Sequence, residues 1–166
     1  MDGQIENAIK IALEKLRSEK GYTPHVHSVR CMHLVGDVLE KGEETIMEIK
    51  QSLLVARSPD RILATSKRLI LVRPSFWKLY TGHTIFGPTE VSFVPYNHLI
   101  SVIATRGRLL ATVHLRIQGY SDESREMKKE GQITGVRIDD ATSFTIFLEN
   151  VIEVLSAEKE RMQGMA

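Results

Sequence analysis

The feature that most constrains this chain is the short spacing of its apolar segments between residues 45 and 138. Segments with strand character lie near 45–56, 61–65, 68–73, 91–96, 99–105, 109–118 and 133–138. Most gaps between them are shorter than the dozen or more residues that a crossover between parallel strands requires. The sequence therefore predicts seven antiparallel strands in a meander.

Residues typical of turns separate these segments. Tight turns are predicted at Ser66-Lys67, Asn97-His98 and Arg106-Gly107-Arg108. Two connections are longer, residues 74–90 and 119–132, and the first has room for a short strand at Thr84–Phe86.

Amphipathic helices are predicted at both ends of this β-rich region. Residues 4–20 follow a possible N-cap at Asp2 and precede Gly21, with an apolar stripe of Ile5, Ile9, Ala12, Leu13 and Leu16. A second helix is predicted from Thr23-Pro24 towards Gly42, although residues 25–29 also alternate as a strand does.

The C-terminal helix begins after Asp139 or Asp140, either of which is a possible cap. Its stripe consists of Ala141, Phe144, Phe147, Leu148, Val151, Ile152 and Leu155. We expect the tail from residue 157 to fray.

Composition indicates one soluble domain with appendages. The chain has 166 residues, of which 42% are hydrophobic and 26% charged. No apolar run approaches the roughly 18 residues of a membrane span, and the start MDGQIENAIK does not resemble a secretory signal. A cytoplasmic location is therefore expected, and the lone Cys31, which cannot form an internal disulfide, agrees with a reducing compartment.

Charge is unevenly distributed along the chain. Residues 45–118 carry ten basic and three acidic side chains, whereas both flanking segments are net acidic and the total is +1. The basic middle is either an anion-binding face or a sheet neutralised by acidic helices.

Four short motifs resemble the prokaryotic pleckstrin-homology-like (PH-like) domain family. They are Gly42-Glu43-Glu44, "LATSKRLILV" at residues 63–72, "VPYNHLISV" at 94–102, and Arg106-Gly107. The resemblance covers residues 42–156, and it departs from the family pattern at Ala64 and in the long 74–90 connection. Seven antiparallel strands followed by a helix is also the element order of a PH-type barrel.

The resemblance implies an α+β, mainly β fold: a PH-like barrel of seven antiparallel strands capped by the C-terminal helix. Residues 1–41 would form an N-terminal helical extension, and residues 42–166 the PH-like domain. Members of the family look like proteins that pack their barrels into rings or other homo-oligomers.

Neither catalysis nor a cofactor is predicted. The chain lacks G-x-S-x-G and H-E-x-x-H motifs. His25, His27, His33 and Cys31 lie close in sequence, but a zinc site would need a clearer ligand spacing. Asp139-Asp140 is interpreted as a helix start, where acidic side chains interact favourably with the helix dipole. No metal site is expected.

The basic corner Ser66-Lys67-Arg68 is interpreted as a hairpin turn. Thr65 is expected to form a hydrogen bond across it, and Arg68 to stack or pair along the outside of the third strand. The corner lacks the glycines and the helix N-terminus of a phosphate loop.

Three binding hypotheses remain open. In the first, a basic and aromatic end of the sheet binds an anionic lipid or membrane surface through Arg57, Arg61, Arg73, Trp77 and Lys78. In the second, which we favour, the chain is a non-enzymatic module that forms a homo-oligomer and binds a protein partner. The helix stripe Ile5, Ile9, Leu13 and Leu16 packs on a neighbour or, alternatively, on its own domain. In the third, nucleic acid binds Arg106, Arg108 and Arg116.

Overall fold

In the part of the chain that the structure describes, the fold consists of two helices and seven strands. The computed structural model describes residues 2–20, 39–52, 60–78, 84–118 and 131–164, with the backbone alone at 2, 20, 74–78 and 84–89. The elements are α1 Asp2–Lys20, β1 Thr45–Lys50, β2 Arg61–Thr65, β3 Arg68–Lys78, β4 Thr84–Pro95, a 3-10 turn Tyr96–His98, β5 Leu99–Arg106, β6 Leu110–Ile117, β7 Gln132–Arg137 and α2 Ile138–Gly164.

The strands form two antiparallel sheets, in the orders β1-β2-β3-β4 and β5-β6-β7. The end of β1 joins them, because Gln51 forms an isolated bridge with Val136 and the Ser52 N–H donates to the Gly135 carbonyl at 2.7 Å. The predicted antiparallel order and the two flanking helices are confirmed.

The 74–90 connection differs from the prediction. The structure extends β3 to Lys78 and begins β4 at Thr84, with Trp77 opposite Ile85 and Pro74 opposite Thr89. The sequence pattern predicts the end of the third strand at Arg73, directly before Pro74, which cannot donate to a strand ladder. Pro74 instead lies at a register shift between Pro74 and Phe76, a β-bulge position that tolerates proline.

The first strand is shorter than predicted in the described residues. Its pairing with β2 ends at Lys50 opposite Arg61, because the chain then turns towards β7 at Gln51. Residues 53–56, the second predicted helix up to residue 38 and residues 119–130 of the 119–132 connection lie outside the described residues. Residues 39–42, to which that helix was predicted to run, form a bend and a turn.

The apolar core lies between the sheets and the two helices. Alternate residues of β3 point to opposite faces, so Leu69 and Leu71 join the main core while Ile70 and Val72 pack with Leu63 in a smaller cluster. Most residues of the apolar stripe of α2 also belong to the main core, namely Ala141, Phe144, Phe147, Leu148 and Val151.

The ends of α2 differ from the prediction. The helix begins at Ile138, directly after β7, so Asp139 and Asp140 lie in its first turn and are not its cap. The expected fraying is also wrong, since α2 continues to Gly164. Its last turns pack on α1, where Gln4 Nε2 lies 3.8 Å from Met162 Sδ.

Candidate functional site and interaction surfaces

The corner between β2 and β3 is a dense polar network. The Thr65 hydroxyl donates to Glu43 Oε1 at 2.5 Å and accepts the N–H groups of Lys67 and Arg68 at 3.2 and 3.1 Å. The Arg68 guanidinium carbon lies 4.2 Å from the centre of the Phe93 ring. The predicted roles of Thr65 and Arg68 are thus confirmed.

Glu43 is the acidic centre of this corner; the sequence analysis named it as part of the Gly42-Glu43-Glu44 motif but did not predict its contact with Thr65 and Arg68. Its side chain is fully buried and accepts from Arg68 Nη2 at 3.1 Å and from the Glu40 N–H at 2.9 Å. Burial raises the pKa of Glu43, but the hydrogen bonds from Thr65, Glu40 and Arg68 outweigh it and lower the pKa. The carboxylate is therefore ionised and satisfied within the chain.

Tyr96, in the 3-10 turn after β4, also belongs to this network. Its hydroxyl donates to the Thr65 carbonyl at 2.7 Å. Burial, followed by the Glu43 charge, raises the pKa of Tyr96 well above its ordinary value, so the phenol is neutral and acts as a fixed donor. The donors and acceptors of the corner form hydrogen bonds with one another. The corner therefore stabilises the β2–β3 hairpin against the start of β1.

Of the residues predicted for an anionic surface, Arg61 and Arg73 lie near each other, because Arg61 pairs with Val72 across β2 and β3. Arg61 contacts Glu48 at 3.0 Å, and Arg73 lies 4.0 Å from Asp60. Burial raises the pKa of Asp60, while Arg73 lowers it. Trp77 and Lys78 lie four and five residues further along β3, roughly 13 to 16 Å away, and their side chains are not described. Arg57 lies outside the described residues.

The helix stripe predicted for packing is buried within the chain. Ile9 and Leu16 belong to the main core, and Ile5 and Leu13 pack against it. Ala8 and Ala12 are fully buried on the same face, and such small residues allow close approach of α1 to α2. Of the two alternatives that the sequence left open, the structure has the one in which α1 docks on its own domain.

An outer groove between α1 and α2 remains exposed. It has a volume of about 360 Å³ and is lined by Asn7, Ile11, Lys15, Asn150, Glu153, Val154, Ala157, Glu158 and Arg161. Ile11 is 39% exposed at its centre. The residues 7, 11 and 15 share one helix face, and this i, i+4 spacing is the sequence signal that could have indicated the groove.

The arginines considered for nucleic acid are exposed but separated. Arg106 and Arg108 flank the turn between β5 and β6, while Arg116 lies opposite Ser101 near the other end of that hairpin. Five residues of strand, about 16 Å, separate Arg106 from Ser101.

Within residues 2–20, 39–52, 60–78, 84–118 and 131–164, no three His, Cys, Asp or Glu side chains converge as a metal site would require. Over the same residues, neither helix is long and apolar enough to cross a bilayer. The candidate zinc ligands at positions 25, 27, 31 and 33 lie outside the described residues.

Comparison with known proteins gives one structural similarity. No protein-family model and no curated protein match the chain. Among solved structures, it is similar to a pleckstrin homology domain from Shewanella amazonensis SB2B, with a TM-score of 0.47 and 20% sequence identity. The alignment covers 80% of this chain and 94% of that one.

Proposed function

We propose that the chain is a non-enzymatic, PH-like interaction module that associates with further copies of itself through the outer groove of α1 and α2. In this proposal the two sheets, joined at Gln51 and Val136, form the crossed barrel of the PH-like fold. The observation that carries the self-association is the exposed groove between α1 and α2, whose lining includes the apolar residues Ile11, Val154 and Ala157.

The charges around the groove support a second copy as its occupant. Lys15 and Arg161 line it together with Glu153 and Glu158. An interface between identical surfaces related by a two-fold axis must be complementary to itself, so it needs both signs on the same patch. The Lys15–Glu153 pair, at 3.6 Å, is exposed and able to exchange partners with the corresponding pair of a neighbour.

The size of the helical face also suits a second copy. At about 1.5 Å per residue, α1 is about 28 Å long, and two adjacent helices are about 20 Å wide, so the face covers on the order of 600 Å². Standard interfaces bury about 800 Å² per partner. The accessible surface of the face is larger than its flat area, because side chains protrude from it. In contrast, the convergent charges of the Glu43–Arg68 corner are already paired with each other.

The experiment is light scattering after gel filtration between about 5 and 200 μM. We expect a mass of at least twice the 18.8 kDa of one chain. Ile11→Lys places a charge at the centre of the groove and is expected to weaken association at least tenfold. A matched control is Ile103→Lys, which makes the same exchange at an exposed isoleucine of β5. A mass of one chain throughout the range would exclude the proposal.

A further inference from the structure

The three-stranded sheet carries a cluster of exposed arginines at one end, which we call the arginine tip: Arg106, Arg108 and Arg137. Arg106 ends β5, and Arg108 follows two residues later on the way to β6. Arg137 ends β7 and pairs with Leu110, the first residue of β6. Neighbouring strands lie about 4.8 Å apart, so the Cα atoms of Arg106 and Arg137, two strands apart, are about 10 Å from each other.

The positive charge of this end of the sheet is not neutralised within the described residues. Residues 91–118 and 131–137 contain four arginines and no Asp, Glu or Lys. The ion pairs among the described residues use other cations, namely Lys15, Arg61, Lys67, Arg68 and Arg73. Asp139 and Asp140 follow Arg137 in the first turn of α2, but those ion pairs do not include them. The guanidinium groups of the tip are therefore available to an anionic partner.

An exposed leucine belongs to the same turn. Leu109 is 85% exposed, the largest exposed fraction among the large apolar side chains of the described residues. Gly107 fixes the turn, because its N–H donates to the Leu110 carbonyl at 2.9 Å and an added Cβ atom would lie 2.7 Å from that oxygen. The backbone therefore holds Arg108 and Leu109 next to each other at the end of the hairpin.

The kind of cation at the tip indicates phosphate as the group that it binds. The chain contains both lysine and arginine, yet every Lys or Arg position in residues 91–118 and 131–137 is an arginine. A diffuse attraction to a negatively charged surface is served equally by both residues. The planar guanidinium in addition forms paired hydrogen bonds to phosphate oxygens and stacks on flat rings, which an ammonium group does not.

The spacing of the arginines and the exposed leucine favour duplex DNA as the source of the phosphates. The minor groove of B-DNA is about 6 Å wide, so arginines about 10 Å apart can contact the phosphates on both of its sides. Proteins that bind this groove insert arginines and apolar side chains such as leucine into it. Arg108 and Leu109 provide both kinds of side chain in one turn.

We propose that the arginine tip binds double-stranded DNA at its minor groove. Arg106 and Arg137 contact phosphates of the two strands. Arg108 and Leu109 enter the groove, where the arginine meets the negative potential of a narrow A·T-rich segment and the leucine contacts the bases. The tip shares no residue with the outer groove of α1 and α2, so this activity is additional to self-association.

The test uses the full-length chain and a fluorescein-labelled duplex of about 20 base pairs with a central A-tract. Binding is followed by anisotropy between about 25 and 100 mM KCl. Three phosphate contacts predict a slope of about −2.7 for log K against log salt, which is about a fortyfold loss of affinity over this range. The A-tract duplex should bind at least threefold more tightly than a G·C-rich duplex, because an A-tract narrows the minor groove.

Two variants separate the charged contacts from the apolar one. Arg137→Gln should reduce the steepness of the salt dependence by about one unit. Its matched control is Arg116→Gln, since Arg116 is exposed on the same sheet but lies opposite Ser101, near the other end of the β5–β6 hairpin. Leu109→Ser should weaken binding about fivefold at every salt concentration, because it removes apolar contact and no charge. All three side chains are exposed, so the melting temperatures should stay the same.

Three results with DNA would overturn the proposal. They are no binding at about 25 mM KCl and 200 μM protein, equal loss of affinity in Arg116→Gln and Arg137→Gln, and equal affinity for the A-tract and G·C-rich duplexes. Binding to vesicles that contain phosphatidylserine, lost in Leu109→Ser and without binding to the duplex, would also overturn it and assign the tip to a membrane. Arg137→Gln should leave the oligomeric mass unchanged, so DNA binding and self-association fail separately.

Discussion

At the scale of single residues, the buried pair of Glu43 and Arg68 decides how the β2–β3 corner is held. Gly42, with φ of 78°, turns the chain just before Glu43. The Glu43 side chain is fully buried, whereas Arg68 is 20% exposed and also contacts Glu40 at 3.1 Å. A buried ion pair contributes little relative to an apolar pair, but removal of one partner is costly because the other stays desolvated.

We expect Glu43→Gln to lower the free energy of unfolding by about 2 to 3 kcal/mol at pH 7. The amide keeps the shape of the side chain but loses the charge that faces Arg68 and one strong acceptor for Thr65. Urea unfolding followed by circular dichroism measures the difference. Glu44→Gln is the control, since Glu44 is exposed and the change should stay within about 0.5 kcal/mol.

The same variant should show a distinct pH dependence. The folded protein holds the pKa of Glu43 below its ordinary value of about 4.5. The unfolded chain therefore binds the proton first, and the stability due to Glu43 is complete above pH 4.5 and is lost as the pH falls through the lowered value. The gap between wild type and Glu43→Gln should be constant from pH 8 to about 5 and narrow below that. A gap that does not change with pH would contradict this role.

Local sequence patterns predicted the roles of Thr65 and Arg68 in the hairpin, but they did not predict that Glu43 contacts both residues. Thr65 and Arg68 lie three residues apart, so turn propensity and charge sufficed to assign them. Glu43 precedes Arg68 by 25 residues, and the long-range pairing of β1 with β2 brings the two together. No local pattern distinguishes Glu43 from its exposed neighbour Glu44.

At the scale of elements, the junction of the two sheets depends on a glycine inside β7. Gly135 has φ of 71°, a conformation that side-chain-bearing residues rarely adopt, and its carbonyl accepts the Ser52 N–H at 2.7 Å. The register of β6 against β7 shifts between Ala111 and Val113. The irregular backbone at Gly135 thereby places the Gly135 carbonyl within hydrogen-bond distance of the Ser52 N–H, just after β1.

Gly135→Ala should therefore destabilise the fold by about 1 to 2 kcal/mol, the cost of a left-handed conformation with a Cβ atom. Thermal unfolding measures this change. The matched control is Gly164→Ala at the end of α2, where an added Cβ meets no atom within 4 Å and φ is not positive. The control should be neutral or slightly stabilising, and equal melting temperatures for both variants would contradict the junction role.

Strand prediction succeeded where alternation and turns agreed, as in β2 and β5, and it missed the local distortions at Pro74 and Gly135. The third strand was predicted to end at Arg73, whereas a bulge after Pro74 lets β3 continue to Lys78. Gly135 was included in an ordinary strand, although a glycine in a strand often marks a distortion. Both exceptions depend on the partner strand, which lies too far along the chain for local patterns to identify.

At the scale of the whole molecule, the sequence predicted residues 1–41 as an extension of the domain, and that boundary remains a prediction. The structure supplies a physical reason to question the independence of α1. Ala8, Ala12 and Leu16 are fully buried and belong to the same apolar cluster as Phe144 and Leu148 of α2. Residues that share one core are expected to unfold together.

Hydrogen exchange followed by mass spectrometry can measure whether they do. We expect amides of residues 8–16 in α1 and of β2 to open with the same free energy and the same dependence on urea, because loss of α1 uncovers the core face of α2. Independent fraying of α1 would instead appear as exchange with a low free energy and almost no urea dependence. In that case the helix pair could not present a fixed groove, and the self-association proposed for Ile11 and Val154 would lose its rigid surface.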